Sequence, residues 1–205
     1  MLGIGNSERQ DWGADHDETD DLHWMPDSRH WFYWDSDSGR LVMHSLNSRT
    51  VVKIQPRGLP KPAPWGTSIL GVTGSGQVIA MTGSLREVGA TFVLYKFSAK
   101  PGAEAERIGT VTFPDNVVMS EVALNPRDNR LVWQLEANDT SARQKISLST
   151  SDLDFRHRHE IGCIYEDEGS IDMANLWNMT ELQWVPDGRR VSFVYKNTIW
   201  TAPAF

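Results

Sequence analysis

A short run of turn-forming residues between two apolar runs recurs along this chain, and it constrains the fold more than any other feature. Near the carboxyl end, the turn formers at 186–188 separate an apolar run at 182–184 from a strictly alternating run at 191–195. A second break at 196–197 is followed by another apolar run at 198–200. Alternation bounded by Gly, Pro, Asp and Asn is typical of strands joined by tight turns. The segment is therefore predicted to be strand, turn, strand, turn, strand.

The same layout occurs three more times, with decreasing fidelity toward the middle of the chain. The copy LHWMPDSR at 22–29 is nearly as clear as the last one, while the copies near Asn129 and Gly76 keep only the turn and the flanking apolar runs. The turn residues Ser28, Gly76, Asn129 and Gly188 recur about every 50 to 60 positions, close to the ~40–50 residues of a propeller blade. The spacing predicts four blades.

The segment LQWVPDGR at 182–189, followed by Val191-x-Phe193, resembles the repeat of TolB-like (PD40, WD40-like) β-propellers. The resemblance implies an all-β chain, a β-propeller of about four blades built from four-stranded antiparallel sheets. It implies a single propeller domain over 1–205. The expected blades cover 20–55, 66–113, 118–165 and 180–205, with 1–6 as a closing strand.

Each blade needs a fourth, outer strand, and three of them have a candidate, at 50–54, 107–113 and 159–165. The last blade has none. Because Met1–Gly5 precedes Trp24 at the offset that 161–164 keeps from Trp184, Met1–Gly5 is predicted to pair with Thr198–Ala202 and close the ring. The alternative is a larger propeller that needs a second copy or further blades, so the protein is expected to be a monomer, or a homodimer if the propeller is incomplete.

Alternation predicts strands at or near 29–34, 40–46, 77–82, 91–97, 130–135, 190–195 and 198–202. Large aromatic side chains at equivalent blade positions are expected between neighbouring sheets. Trp24, Trp133, Phe193 and Trp184 are therefore predicted to be largely buried.

Charge and composition exclude several classes of partner. The net charge of −7 argues against nucleic acid, which is bound mainly through Lys and Arg. No apolar run approaches the ~20 residues of a membrane span, and the first residues lack the pattern of a signal peptide. The protein is expected to be soluble and cytoplasmic by default, or periplasmic if the amino terminus is truncated.

Cys163, the single cysteine, is predicted to be a buried, inert thiol.

The carboxylates in the loop DWGADHDETDD at 11–21 make Asp15, Asp17 and Asp20 candidate ligands of a Ca²⁺ ion, because hard cations bind clustered oxygen ligands. The spacing begins like an EF-hand loop but then fails, since Asp20 stands where that loop has Gly and Pro26 where it has Glu. The favoured interpretation of the loop is a solvated acidic connector, and a Ca²⁺ site is the alternative.

Two other groups of residues have a spacing that suits metal ligands. His157 and His159 would lie on one face of a strand, a spacing that zinc accepts, but neighbouring arginines oppose a cation. The segment 35–39 spaces two carboxylates, yet its Asp, Ser and Gly are the residues that a hairpin turn prefers.

No nucleophile elbow, Walker loop or His-Glu-x-x-His motif is present, so no catalytic or cofactor-binding residue is predicted. The favoured function is a non-catalytic scaffold that binds a protein or small ligand through loops on its faces, with a protein partner expected. The alternative is an enzyme or enzyme accessory domain, either a propeller-type glycosidase or the gating propeller of a prolyl-oligopeptidase-like peptidase.

Overall fold

A computed structural model describes residues 22–60, 66–85, 87–125, 127–138, 143–167 and 179–205 of the chain. These residues form an all-β, four-bladed propeller in which each blade is an antiparallel sheet. The fold class expected from the repeat is confirmed. Within the described segments there is no helix long and apolar enough to cross a membrane.

The strands follow one another in chain order within each sheet. Blade 1 contains β1 (His23–Trp24), β2 (His30–Asp35), β3 (Arg40–Ser45) and β4 (Val51–Ile54). Blade 2 contains β5 (Thr67–Val72), β6 (Gln77–Thr82), β7 (Thr91–Ser98) and β8 (Glu106–Thr112). Blade 3 contains β9 (Val117–Asn125), β10 (Arg130–Asn138), β11 (Arg143–Asp152) and β12 (His159–Asp167). Blade 4 contains β13 (Met179–Trp184), β14 (Arg190–Tyr195) and β15 (Thr198–Pro203).

The strands predicted from alternation are confirmed to within a few residues at their ends. The three outer strands are also confirmed, because β4, β8 and β12 form where they were expected. Blade 4 has three strands among the described residues, so its outer position is open there. The segment Met1–Gly5, which was predicted to fill that position, lies outside the described residues.

Apolar side chains pack between successive blades, and alternation decides which neighbour each residue meets. In β6, Val78 and Ala80 pack toward blade 1, whereas Ile79 and Met81 pack toward blade 3. All four are buried because this central strand is covered on both faces. By contrast, β15 is exposed over most of its length.

The predicted burial of the aromatic residues holds for some of them. Trp133 is fully buried and Phe193 is buried, as expected. Trp184 is half-buried, with its Nε1 donating a hydrogen bond of 3.1 Å to the carbonyl oxygen of Ala123 in blade 3. The prediction for Trp24 is wrong, because its side chain is 53% exposed. An inner-strand tryptophan packs against the preceding blade, as Trp184 does, and no described residues form a blade before blade 1.

Candidate binding face

The turns between the first and second strands of the four blades have the same backbone geometry. One residue in each turn adopts a left-handed conformation: Ser28 with φ of 54°, Gly76 with 80°, Asn129 with 57° and Gly188 with 69°. Such a residue is what a tight reversal requires, and Gly and Asn adopt it at low cost. The weak copies of the repeat therefore kept the residue types that the turn demands.

An aspartate side chain stabilises the turn in three of the blades. The Oδ1 atoms of Asp27 and Asp187 accept the backbone N–H of Arg29 and Arg189, both at 2.8 Å. Asp128 accepts the N–H of Arg130 at 3.3 Å. The backbone hydrogen bonds from Arg29 and Arg189 are the largest of the effects that lower the pKa values of Asp27 and Asp187. These carboxylates are consequently ionised and held in place at neutral pH.

Neighbouring turns are in direct contact at the junction of blades 3 and 4. The buried Asn125 donates from Nδ2 to the carbonyl oxygen of Gly188 at 3.0 Å, and its Oδ1 accepts the N–H of Arg127 at 3.0 Å. A Cβ atom built on Gly188 would lie 3.2 Å from Cδ of Arg127. The side chain of Arg127 therefore lies against the turn that carries Arg189.

The carboxylates of these turns are already paired, whereas several of the arginines have no ion-pair partner among the described residues. Asp27 binds His30, Asp128 lies near Arg130, and Asp187 binds Arg190. Arg29, Arg127 and Arg189 are exposed and take part in none of the ion pairs found within the described ranges. The turns of blades 1, 3 and 4 thus present, from rigid backbone, guanidinium groups that pair with no described carboxylate, although the whole chain is acidic.

A second feature is an apolar cleft between the outer parts of blades 3 and 4, with a volume of about 420 Å³. Its walls are formed by β11 and β12 on one side and by β14 and β15 on the other. The lining residues are Ile146, Leu148, Ile161, Gly162, Cys163, Ile164, Phe193, Tyr195, Trp200, Thr201 and Ala202. Neither the spacing of residues nor the motifs identified this cleft.

The corresponding spaces between earlier blades are filled by the segment that leads into the outer strand. In blade 3, Phe155 packs on Trp133 with ring centroids 5.1 Å apart, and the Arg158 guanidinium lies 4.8 Å from the centre of the Trp133 ring. In blade 2, Ala103 and Ala105 pack into the core shared with blade 1. Blade 4 has no such segment among the described residues, and the cleft occupies its place.

The predicted calcium ligands, Asp15, Asp17 and Asp20, lie outside the described residues. Within the ranges that are described, no group of three or more His, Cys, Asp or Glu residues is arranged to hold a metal ion. Asp35 behaves as a turn residue, because its Oδ2 accepts the Ser38 hydroxyl at 2.6 Å and its Oδ1 accepts the Ser38 N–H at 3.2 Å.

The interpretations of His157 and Cys163 were wrong. His157 precedes β12 in a left-handed conformation, with φ of 49°, so it does not share a strand face with His159. Its Nδ1 lies 2.6 Å from Oδ2 of Asp152 instead. Cys163 is exposed, because β12 is an outer strand that no described segment covers.

No family model and no curated protein sequence matches the chain. The solved structures with distant similarity to the chain include the following two. A luciferin-regenerating enzyme has a TM-score of 0.41 and 11% identity, over 89% of this chain and 54% of that one. A functionally unknown protein from Desulfotomaculum acetoxidans DSM 771 has a TM-score of 0.43 and 10% identity, over 89% of this chain and 64% of that one. The chain thus spans between half and two thirds of the length of these proteins.

Proposed function

We propose that this protein is a non-catalytic propeller scaffold that binds a protein partner through the turns at the face carrying Ser28, Asn129 and Gly188. The partner surface carries carboxylates that pair with Arg29, Arg127 and Arg189. The observation that supports this proposal is the set of exposed arginines, without an ion-pair partner in the described part of the chain, on turns that their own aspartates hold rigid.

Rigidity and charge both favour binding at this face. Side chains on a preordered turn lose little backbone entropy when a partner binds. Arginine is enriched among the residues that dominate protein interfaces, because its planar group forms paired hydrogen bonds with carboxylates. The side chain of Arg127 lies against Gly188, the residue next to Arg189, so the turns of blades 3 and 4 bring two arginines to the same junction.

The test compares capture of proteins from a native extract by three forms of the immobilised protein. These are the wild type, the double variant Arg127→Gln/Arg189→Gln, and the control Arg40→Gln. The control neutralises an exposed arginine at the end of blade 1 that lies away from the Ser28 turn. Thermal unfolding checks that all three are folded.

The wild type and the control should retain a common protein that the double variant loses. Retention should weaken as salt is raised, because screening shortens the range of charge interactions to ~3 Å at 1 M. Equal retention by all three forms, or retention that salt does not alter, would refute the proposed face.

A further inference from the structure

A polar cleft lies between the outer strand of blade 2 and the loop that leads into the outer strand of blade 3. Residues 107–111 of β8 form one wall, and residues between 154 and 158 form the other. The cleft has a volume of about 590 Å³, within the ~300–1,000 Å³ of pockets that hold small molecules. Three of its lining residues are arginines, in a chain whose net charge is −7: Arg107, Arg156 and Arg158.

The backbone brings the two walls unusually close together. The pairing of β7 with β8 shifts between Leu94 and Tyr95, which leaves Ile108 as the extra residue of a β-bulge. A Cβ atom on Gly109 would lie 2.7 Å from the carbonyl oxygen of Leu153, so only glycine lets the loop approach β8 this closely. Bulges redirect side chains and occur often beside functional sites. The cleft is thus formed by two local departures from regular strand geometry.

The loop of blade 3 is held in a strained conformation. Phe155 and His157 are left-handed, with φ of 64° and 49°, although neither is glycine. Side chains of this size adopt that region only at a cost, and such strain is concentrated at ligand-binding segments. Two backbone hydrogen bonds of 3.0 Å maintain the loop, from the N–H of Phe155 to the Asp152 carbonyl and from the N–H of Asp152 to the Arg156 carbonyl. The arginines of the loop are therefore positioned before any ligand binds.

Two of the three guanidinium groups are held by neutral neighbours. The Arg158 guanidinium lies 4.8 Å from the centre of the Trp133 ring and 5.5 Å from that of Phe113. Arg107 donates from Nε to the Oγ1 atom of Thr110 at 2.9 Å, and Thr110 belongs to the same wall. Neither arginine forms an ion pair with any residue that the structure describes. Both positive charges are fixed without being neutralised.

The charges of the cleft do not balance. Arg156 has its Nε atom 3.3 Å from Oδ2 of Asp154, which is the one carboxylate among the described lining residues. His157, beside the cleft, is paired with Asp152, their Nδ1 and Oδ2 atoms 2.6 Å apart. Three arginines against one aspartate leave two positive charges. A doubly charged oxyanion would compensate them, and the planar guanidinium group binds such oxygens in pairs.

We propose that this cleft binds a small phosphate monoester. The phosphate lies at the arginines, and the carbon skeleton lies against the apolar side chains of the β8 wall, Ile108 and Val111. A phosphate monoester carries about −1.5 to −2 charges at neutral pH, which matches the cleft, whereas a single carboxylate leaves one positive charge uncompensated. The site goes beyond the proposed function and shares no residue with the turns at Ser28, Asn129 and Gly188.

Nuclear magnetic resonance titration tests both the site and the ligand class. The probes are phenyl phosphate and benzenesulfonate, which has the same ring and a single negative charge. Sodium chloride keeps the ionic strength constant, because screening weakens every charge interaction. Phenyl phosphate should shift the signals of 107–111 and 154–158 saturably and bind at least about tenfold more tightly than benzenesulfonate, because the second charge strengthens the hydrogen bonds to the arginines.

Substitutions locate the binding groups. Arg156→Gln and Arg158→Gln should each weaken phenyl phosphate binding at least about tenfold, whereas the control Arg40→Gln should leave the binding unchanged. Arg158 also covers Trp133, so its loss can disturb folding. The side chain of Arg156 is 79% exposed, so that variant tests the cleft without removing core contacts. Thermal unfolding checks each variant.

Several results would overturn the proposal. These are equal affinity for the two probes, unchanged affinity in Arg156→Gln, or signal shifts centred on the turns at Asn129 and Gly188. Binding to phosphatidic acid vesicles without binding to phenyl phosphate would also overturn it, because a membrane surface would then be the ligand. No substitution here touches Arg127 or Arg189, so failure of this proposal leaves the proposed function untouched, and loss of partner capture leaves this cleft untouched.

Discussion

Single side chains show how much the preceding blade contributes to burial. Trp133 in β10 is fully buried, with Phe113 at 5.6 Å and Phe155 at 5.1 Å between ring centroids. Trp24 in β1 is 53% exposed although it occupies the same repeat motif as Trp184. Position in the repeat determines where a side chain points, and the neighbouring blade determines whether it is covered.

This difference predicts unequal costs of truncation. Trp133→Ala should lower the free energy of unfolding by about 3–5 kcal/mol, because it removes a fully buried ring and leaves a cavity. Trp24→Ala should cost below about 1 kcal/mol, as for other exposed positions. Denaturant unfolding of both variants measures the two values. Similar losses for the two would contradict the assignment of Trp24 to an open surface.

Sequence reasoning predicted the turns and strands well because each depends on local chemistry. Gly188 and Asn129 were recognised because few residues adopt the left-handed conformation that their turns require. Sequence reasoning failed for His157 because this residue is itself left-handed and lies before the first residue of β12. The unpaired arginines and the apolar cleft were missed because each depends on which groups of another blade lie nearby.

At the scale of the element, the hairpin turn is the unit that the repeat preserves. Gly188→Ala should destabilise the protein by about 1 kcal/mol or more, because its φ of 69° disfavours a side chain and the added Cβ would lie 3.2 Å from Arg127. Gly162→Ala is the matched control, since that position has open space and lacks a left-handed φ. Thermal unfolding should separate the two variants, and equal melting temperatures would contradict the role of Gly188.

The aspartate of the same turn predicts a dependence on pH. The pKa of Asp187 is lowered in the folded protein, chiefly by the hydrogen bond from the Arg189 N–H. A lowered pKa means that the ionised group stabilises the folded state, and that this contribution is lost as pH falls below about 4 through the folded pKa. Asp187→Ala should therefore be less stable than the wild type at pH 7, and the difference should shrink at pH 3. Chemical denaturation at both pH values measures it, and a constant difference would contradict the electrostatic part of the argument.

At the scale of the molecule, packing links blade 1 to 2, blade 2 to 3 and blade 3 to 4, each through its own apolar cluster. The sequence predicts that Met1–Gly5 pairs with the edge of β15. On that prediction, deleting residues 1–6 should lower the melting temperature and promote concentration-dependent association, because the uncharged edge would then be open to another chain. Melting curves and light scattering measure these effects.

Adding Thr201→Lys to the deletion variant separates the loss of thermal stability from the association between chains. A charge on the open edge should suppress association without restoring the melting temperature, since it blocks pairing between chains but supplies no strand. The outcome that contradicts closure within one chain is an intact protein that is already a stable dimer, with neither mass nor melting temperature altered by the deletion. Two copies would then share one larger assembly, and the apolar cleft would lie at the interface between them.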